Sequence, residues 1–211
     1  MYHNAKRHFK KTDPRLHTAA LDIELEELVP SSDLFRDIVW TIVGQQLSAR
    51  AADAIFMRLE ELVEGKRVAT ETLLALSPEK MRTAGLSGAK ANAIRAFANA
   101  VANAELNLDA LPELSDEDVV RDLTRVKGIG PWTAEMILMF SLARPDVFSK
   151  GDLGLRKGIM LLYNLRKPPS DWRLRQLSSS WSPYRTYAAR ILWKLSDRRT
   201  KRVGRSKAAK S

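Results

Sequence analysis

Apolar residues recur at helical spacing along almost the whole chain, and no segment alternates apolar and polar residues as a half-buried strand does. One segment carries apolar side chains at Leu34, Ile38 and Ile42, and the next repeats the pattern between residues 51 and 62. Serine or aspartate followed by proline or an acidic residue precedes several such stretches, which indicates helix starts. The sequence therefore predicts an all-α protein.

The predicted helices are short and numerous. They span residues 13–28, 32–45, 48–64, 70–76, 78–84, 88–104, 116–125, 131–144, 153–164, 171–178 and 184–196. The stretch at 106–115 separates an alanine-rich half from a basic half. We therefore expect a folded core at 16–197 with two helical lobes, 32–110 and 111–197 plus the N-terminal helix, and a cleft between them.

The charge of the chain favours a polyanionic partner, because 35 Lys and Arg face 25 Asp and Glu and give a net charge of +10. Residues 1–15 hold five basic and one acidic side chain, and residues 198–211 hold seven basic and none acidic. We expect a solvated basic N-terminal arm and a disordered basic tail. Residues 121–197 hold fourteen basic and six acidic side chains, which predicts a positive face. The alternative for the tails is a role in solubility alone.

Composition excludes several chemistries. The chain has no cysteine, so disulfides, thiolate metal sites and cysteine nucleophiles are ruled out. No stretch approaches the roughly 18 to 20 apolar residues of a membrane span, and the basic N-terminal segment lacks the apolar core of a signal peptide. We expect an unprocessed protein without a membrane segment.

The segment Val-Lys-Gly128-Ile-Gly130-Pro131-Trp is the most informative one in the chain. A helix ends near Val126, the two glycines allow a tight turn, and the proline starts the next helix. This predicts a helix-hairpin-helix, whose outward backbone N–H groups can bind phosphate. The alternative is an ordinary helix C-cap followed by a proline-led helix.

Asp152 stands directly before Leu-Gly-Leu-Arg at the start of the next predicted helix. An aspartate in that place is often only an N-cap, which uses its carboxylate to accept a backbone hydrogen bond. The position alone leaves the N-cap and a catalytic role open.

Four motifs in order resemble the helix-hairpin-helix DNA glycosylases, and within them the 3-methyladenine DNA glycosylase II family. They are Gly-Gln-Gln-Leu-Ser ending at Ser48, the hairpin, Pro-Asp-Val-Phe with Asp-Leu-Gly-Leu-Arg, and Ser-Pro-Tyr-Arg running on to Trp193. The resemblance covers about residues 34–195. It implies an enzyme that flips alkylated purines, such as 3-methyladenine and 7-methylguanine, out of duplex DNA and hydrolyses their N-glycosidic bond in base excision repair.

The resemblance assigns the catalytic and base-binding positions. Asp152 would stabilise the cationic sugar and direct the attacking water. Trp132 and Trp193 match aromatic pocket positions, where indole faces attract a cationic purine. Met136 stands where some relatives carry a tyrosine, which leaves the range of excised bases open. The other tryptophans are expected in the core: Trp40, Trp172 and Trp181.

The resemblance also assigns DNA contacts. The minor-groove motif supplies Gln45, Gln46, Leu47 and Ser48, and Gln46 falls at the position that fills the gap left by a flipped base. The alternative for Gln46 is an exposed glutamine at a helix end. The remaining predicted contacts are Lys127, Gly128, Gly130, Thr133, Lys150 and Arg185.

Some relatives also cut the strand with a lysine two residues after the second hairpin glycine, where this chain has Trp132, so we expect no lyase activity. The missing cysteines argue against the endonuclease III and adenine-mismatch branches. The resemblance further implies a monomer without metal or cofactor. It would act on cytoplasmic, nucleoid-associated DNA if prokaryotic, or in the nucleus if eukaryotic. The rivals are a non-catalytic helix-hairpin-helix DNA-binding protein and a basic RNA-binding protein.

Overall fold

A computed structural model of the chain describes the backbone of residues 1–208 and the side chains of residues 1–198. Within that part the structure is helical and has no strand, as the periodicity predicts. The α-helices are α1 (Tyr2–Thr12), α2 (Pro14–Leu21), α3 (Leu34–Gly44), α4 (Ala49–Leu62), α5 (Thr70–Leu74), α6 (Pro78–Thr83), α7 (Gly88–Ala102), α8 (Asp116–Thr124), α9 (Pro131–Met136), α10 (Leu153–Tyr163), α11 (Asp171–Ser179) and α12 (Arg185–Ala208). Two 3-10 turns, Glu64–Lys66 and Leu111–Glu113, and a π-helical turn, Ile137–Ser141, complete the helical elements.

Most helices begin after a serine or an aspartate whose side chain accepts a hydrogen bond from the first turn. Such caps precede α2, α3, α4, α6, α7, α8, α10 and α11. Each cap satisfies one of the backbone N–H groups that a helix leaves without an internal partner. These local signals are the reason that most predicted helix starts agree with the structure to within two residues.

The N-terminal segment differs from its prediction, because residues 1–15 are not a solvated arm. They form α1 and the start of α2, and Tyr2, Ala5 and Phe9 are buried along one face of α1. The prediction relied on the many basic side chains of this segment and did not recognise the apolar stripe between them. The prediction of a helix at 13–28 is also wrong in its second half. The chain leaves α2 at Leu21 and runs to Glu27, which accepts hydrogen bonds from the Tyr2 backbone and the Tyr187 hydroxyl.

Contacts divide the chain into two compact units. The first unit consists of Met1–Val29 and Arg144–Ser211, and the second consists of Pro30–Ala143. This division differs from the boundary expected at 106–115, which lies inside the second unit. The reason is packing: α8 lies against α9, and α3 lies against both α9 and the π-helical turn, so the hairpin belongs to the alanine-rich half.

The first unit is built around the pair α10 and α12. Gly158 of α10 allows close approach, since a Cβ there would lie 2.5 Å from the carbonyl oxygen of Leu192. Trp181 and Tyr187 are fully buried in the same unit. The backbone of residues 198–208 continues α12, which differs from the disordered tail predicted at 198–211, and residues 209–211 lie outside the described part.

Candidate functional site

The turn between α8 and α9 has the geometry of the predicted hairpin. Gly128 has a φ of +94°, and a Cβ at this residue would lie 2.4 Å from the Cβ of Ala93 and 3.2 Å from its Cα. Both the backbone conformation and the lack of space therefore require glycine. Gly130 caps α9 without a side-chain hydrogen bond, and Lys127 is exposed beside the turn. The turn thus presents a cation next to first-turn amides that no cap side chain occupies.

The segment between α3 and α4 is tied to the hairpin by Gln45. Its side-chain amide donates to the carbonyl oxygen of Gly128 at 3.1 Å and to the hydroxyl of Thr133 at 3.0 Å. The ammonium group of Lys90 donates to the carbonyl oxygens of Val43 at 2.8 Å and Gln45 at 2.7 Å. Burial lowers the pKa of Lys90. These bonds hold the segment and the hairpin as one surface of the second unit.

Gln46 lies at the tip of this segment. Its φ of +59° is a left-handed conformation that non-glycine residues adopt infrequently, and its side chain is exposed. Leu47 beside it is exposed as well, and the hydroxyl of Ser48 accepts from the N–H of Ala51 as the cap of α4. The structure therefore projects two adjacent side chains, Gln46 and Leu47, outward from the turn.

Two predicted contact residues of the second unit are buried. Thr133 holds Gln45 and is almost inaccessible to solvent, and Met136 is buried as well. Trp132, by contrast, is partly exposed at the start of α9. The structure thus gives Thr133 an internal hydrogen-bonding role that its place in the motif did not reveal.

In the first unit, Asp152 caps α10 and also contacts an aromatic residue. Its Oδ1 accepts a hydrogen bond from the N–H of Leu155 at 2.7 Å and one from the indole N–H of Trp193 at 2.9 Å. Gly154 makes room for the indole, because a Cβ there would lie 2.9 Å from Cδ1 of Trp193. The N-cap interpretation is therefore correct, and it does not exclude the catalytic one. The two donors fix one carboxylate oxygen of a partly exposed side chain.

The predicted cations Lys150 and Arg185 have different surroundings. Lys150 is exposed in the loop that precedes Asp152. The guanidinium of Arg185 is held by Asp146, with Nε 2.8 Å from Oδ1 and Nη2 3.0 Å from Oδ2. Burial alone would raise the pKa of Asp146, but hydrogen bonds from Arg185 and Ser182 prevail and hold it below its usual value. Arg185 is thus bound within the chain, and a DNA contact by it stays a prediction.

Sequence reasoning missed Arg156, whose guanidinium makes three hydrogen bonds. Nε donates to the carbonyl oxygen of Lys150 at 3.0 Å, Nη1 donates to that of Pro169 at 3.1 Å, and Nη2 donates to Oδ1 of Asp171 at 2.6 Å. The sequence feature that could have identified Arg156 is its position one turn after Asp152 in the Asp-Leu-Gly-Leu-Arg motif.

The three tryptophans outside the motifs differ in their exposure to solvent. Trp181 is fully buried, as expected. Trp40 is partly exposed and donates to Oδ1 of Asp53 at 3.0 Å. Trp172 is 59% exposed, so the expectation that it packs in the core is wrong. It stands in the first turn of α11 next to the loop at 164–170, and helical spacing alone could not show that its face of the helix is uncovered.

Two features are absent from the part of the chain that the structure describes. No three His, Asp or Glu side chains gather there in a way that could hold a metal ion. None of the described helices has the length and apolar composition needed to cross a membrane.

A helical chain with this hairpin and an aspartate-capped helix after it defines a class of DNA repair proteins. Residues 39–183 match the family described as HhH-GPD superfamily base excision DNA repair protein, and the chain belongs to that family. DNA-3-methyladenine glycosylase 1 of Schizosaccharomyces pombe is 32% identical over 199 residues, which are 88% of this chain and 87% of that protein.

Solved structures agree with this membership. The Schizosaccharomyces pombe 3-methyladenine DNA glycosylase in complex with abasic DNA aligns with a TM-score of 0.81 and 30% identity, covering 90% of this chain and 95% of that one. DNA-3-methyladenine glycosidase from Bacillus halodurans aligns with a TM-score of 0.76 and 38% identity, covering 90% and 88%. The resemblance to the helix-hairpin-helix DNA glycosylases and their 3-methyladenine branch is confirmed.

Proposed function

We propose that this protein is a DNA glycosylase that flips alkylated purines out of duplex DNA and hydrolyses the bond between base and sugar. The observation that supports the proposal most is the pair of hydrogen bonds to Oδ1 of Asp152, one from the N–H of Leu155 and one from Trp193. A carboxylate fixed in this way needs no reorganisation when positive charge develops nearby, which is the condition for efficient electrostatic stabilisation.

In the proposed reaction, the bond between C1′ and the ring nitrogen breaks and its electron pair leaves with the base. The sugar becomes oxocarbenium-like, Asp152 stabilises its positive charge, and a water molecule adds to C1′ and loses a proton. A purine alkylated on a ring nitrogen already carries positive charge and departs readily, so one carboxylate is sufficient.

The proposal includes the finer points that follow from the family likeness. The protein would be a 3-methyladenine glycosylase of the second type, active as a monomer on DNA with alkylated bases, in the cytoplasm or in the nucleus according to its source. It would not cut the strand, because Trp132 occupies the position of the lyase lysine. Borohydride treatment during turnover should then trap no covalent adduct with DNA.

The variant Asp152→Asn tests the enzymatic role. It keeps the size of the side chain and an oxygen for the N-cap bond but removes the negative charge. We expect the single-turnover rate on a duplex with 7-methylguanine to fall by about a hundredfold or more, equal to about 2.7 kcal/mol. The affinity for duplex DNA should change by less than about threefold.

Asp53→Asn is the matched control, because Asp53 also accepts a hydrogen bond from a tryptophan, Trp40, in the other unit. It should leave the rate unchanged. Near-normal excision by folded Asp152→Asn would favour the rival function, a non-catalytic DNA-binding protein in which Asp152 is only a cap.

A further inference from the structure

The first turn of α11 presents an exposed tryptophan on the first unit. Trp172 is 59% exposed, whereas Trp181 and Tyr187 of the same unit are fully buried. Tryptophan is enriched where proteins bind their partners, because its large face releases water on contact. An uncovered indole of this size therefore indicates a binding surface.

Hydrogen bonds connect this turn to Asp152. The residue before Trp172 is Asp171, whose Oδ1 accepts from Nη2 of Arg156 at 2.6 Å. Arg156 also donates from Nε to the carbonyl oxygen of Lys150, and its backbone N–H bonds to the carbonyl oxygen of Asp152. The loop before Asp152 and the first turn of α11 are thus fixed to the same side chain.

The surface around Trp172 is positively charged. Residues 150–176 hold seven basic and two acidic side chains, and both acidic ones accept hydrogen bonds from the chain itself. The pKa of Asp171 lies below its usual value, chiefly because Arg156 donates a hydrogen bond to it, with added attraction from Arg175 and Lys150. Lys150, Arg173 and Arg175 are exposed. Exposed cations beside an indole fit a strand of nucleic acid, which offers phosphates and flat bases together.

We propose that Trp172 is a DNA-binding residue, and that Trp172, Lys150 and Arg175 bind the strand next to the damaged nucleotide. The cations would contact phosphates, and the indole would pack on a sugar or a base that flipping has unstacked. The location next to the lesion rests on the proposed function, since that function places the damaged nucleotide at Asp152. None of the motifs that define the family likeness contains Trp172.

A binding assay that needs no excision tests the proposal. The probe is a duplex with one tetrahydrofuran abasic analogue, and the measurement is the dissociation constant by fluorescence anisotropy. Trp172→Ala should weaken binding about tenfold, which corresponds to about 1.4 kcal/mol and lies in the range of aromatic contacts to bases. Trp172→Phe keeps an aromatic face and should stay within about threefold of the unchanged protein.

Leu21→Ala is the matched control, because Leu21 is also 59% exposed and lies in the same unit on α2. It should bind with unchanged affinity, and both alanine variants should keep the Tm of the unchanged protein. Equal affinity of Trp172→Ala and Leu21→Ala would overturn the proposal and favour a protein partner for this surface.

The salt dependence of the same assay separates the two kinds of contact. Arg175→Ala should reduce the slope of log K against log salt by about one unit, because one phosphate contact is lost. Trp172→Ala should leave the slope unchanged, because an indole releases no counterion. A slope that Arg175→Ala does not change would also count against the proposal. Since the probe undergoes no reaction, these results are independent of Asp152→Asn, and either proposal can fail alone.

Discussion

Gly128→Ala is the substitution for which the structure permits the most detailed prediction. The glycine has a φ of +94°, and its missing Cβ would lie 2.4 Å from the Cβ of Ala93 on α7. Two non-bonded carbon atoms do not approach each other so closely, so α7 or the hairpin must move when alanine replaces Gly128. Ala93 is buried and its Cα is only 3.2 Å from the same point, which leaves no flexible side chain to yield.

The expected loss of stability has two parts. Placing alanine at a positive φ costs roughly 1–2 kcal/mol, and the overpacking against α7 adds about 1–3 kcal/mol. The free energy of unfolding should therefore fall by about 2–5 kcal/mol. For a chain of this size, roughly 2–4 °C per kcal/mol converts this to a fall in Tm of about 4–20 °C. Urea unfolding followed by circular dichroism measures the free energy, and a thermal scan measures Tm.

A double variant separates the two parts. Ala93→Gly removes the atom that the new Cβ would meet, although glycine inside α7 by itself costs about 1 kcal/mol. In a double-mutant cycle with Gly128→Ala, the coupling free energy between the two changes should be favourable by about 1–3 kcal/mol. The loss of stability caused by the positive φ should remain in the double variant. A coupling energy near zero, or a loss below about 0.5 kcal/mol in Gly128→Ala, would refute the argument that close packing requires glycine in the hairpin.

Three further predictions concern the site. Trp193→Phe removes the donor to Oδ1 of Asp152 and should lower the excision rate by about tenfold or more with little change in DNA affinity, since a hydrogen bond to a charged group contributes about 1.5–3 kcal/mol. Asp146 has a depressed pKa in the fold, so its stabilising effect is present above its unfolded pKa of about 3.9 and is lost as pH falls through the folded pKa. The stability difference between the unchanged protein and Asp146→Asn should therefore be constant above about pH 5 and shrink below pH 4, and a difference that grows there would contradict this. Lys127→Ala should reduce the salt slope of DNA binding by about one unit in a titration from low to high salt, and an unchanged slope would show that this exposed cation contacts no phosphate.

Much of the fold could be predicted because its signals are local. Caps such as Ser115 and Asp33 and the apolar spacing of α3 lie within one helix, and the structure confirms the helices they predicted. The N-terminal segment shows where local reasoning failed. The apolar stripe of Tyr2, Ala5 and Phe9 is narrow and surrounded by three lysines and one arginine, and only its burial reveals that α1 is part of the folded unit.

The site could be predicted in its motifs but not in its hydrogen bonds. The hairpin follows from two glycines and a proline at fixed offsets along the chain, and the role of Asp152 follows from the resemblance of its motif to that of the DNA glycosylases. The bonds of Gln45 to Thr133 and of Arg156 to Asp171 join residues from different elements, and no spacing in the sequence encodes them. The exposure of Trp172 could not be predicted for the same reason, because it depends on which other elements cover the helix rather than on the helix itself.

Packing gives Trp193 a role that its residue type alone does not predict. An indole at a base-pocket position is expected to act through its aromatic face, yet here its N–H holds Oδ1 of Asp152 at 2.9 Å. Two glycines on α10 make this possible: Gly158 lets α12 approach, and Gly154 leaves the space that Cδ1 of the indole needs. The Gly-Leu-Arg-Lys-Gly spacing after Asp152 is therefore part of what positions the carboxylate. Gly154→Ala should impair excision by displacing the indole, even though alanine favours a helix.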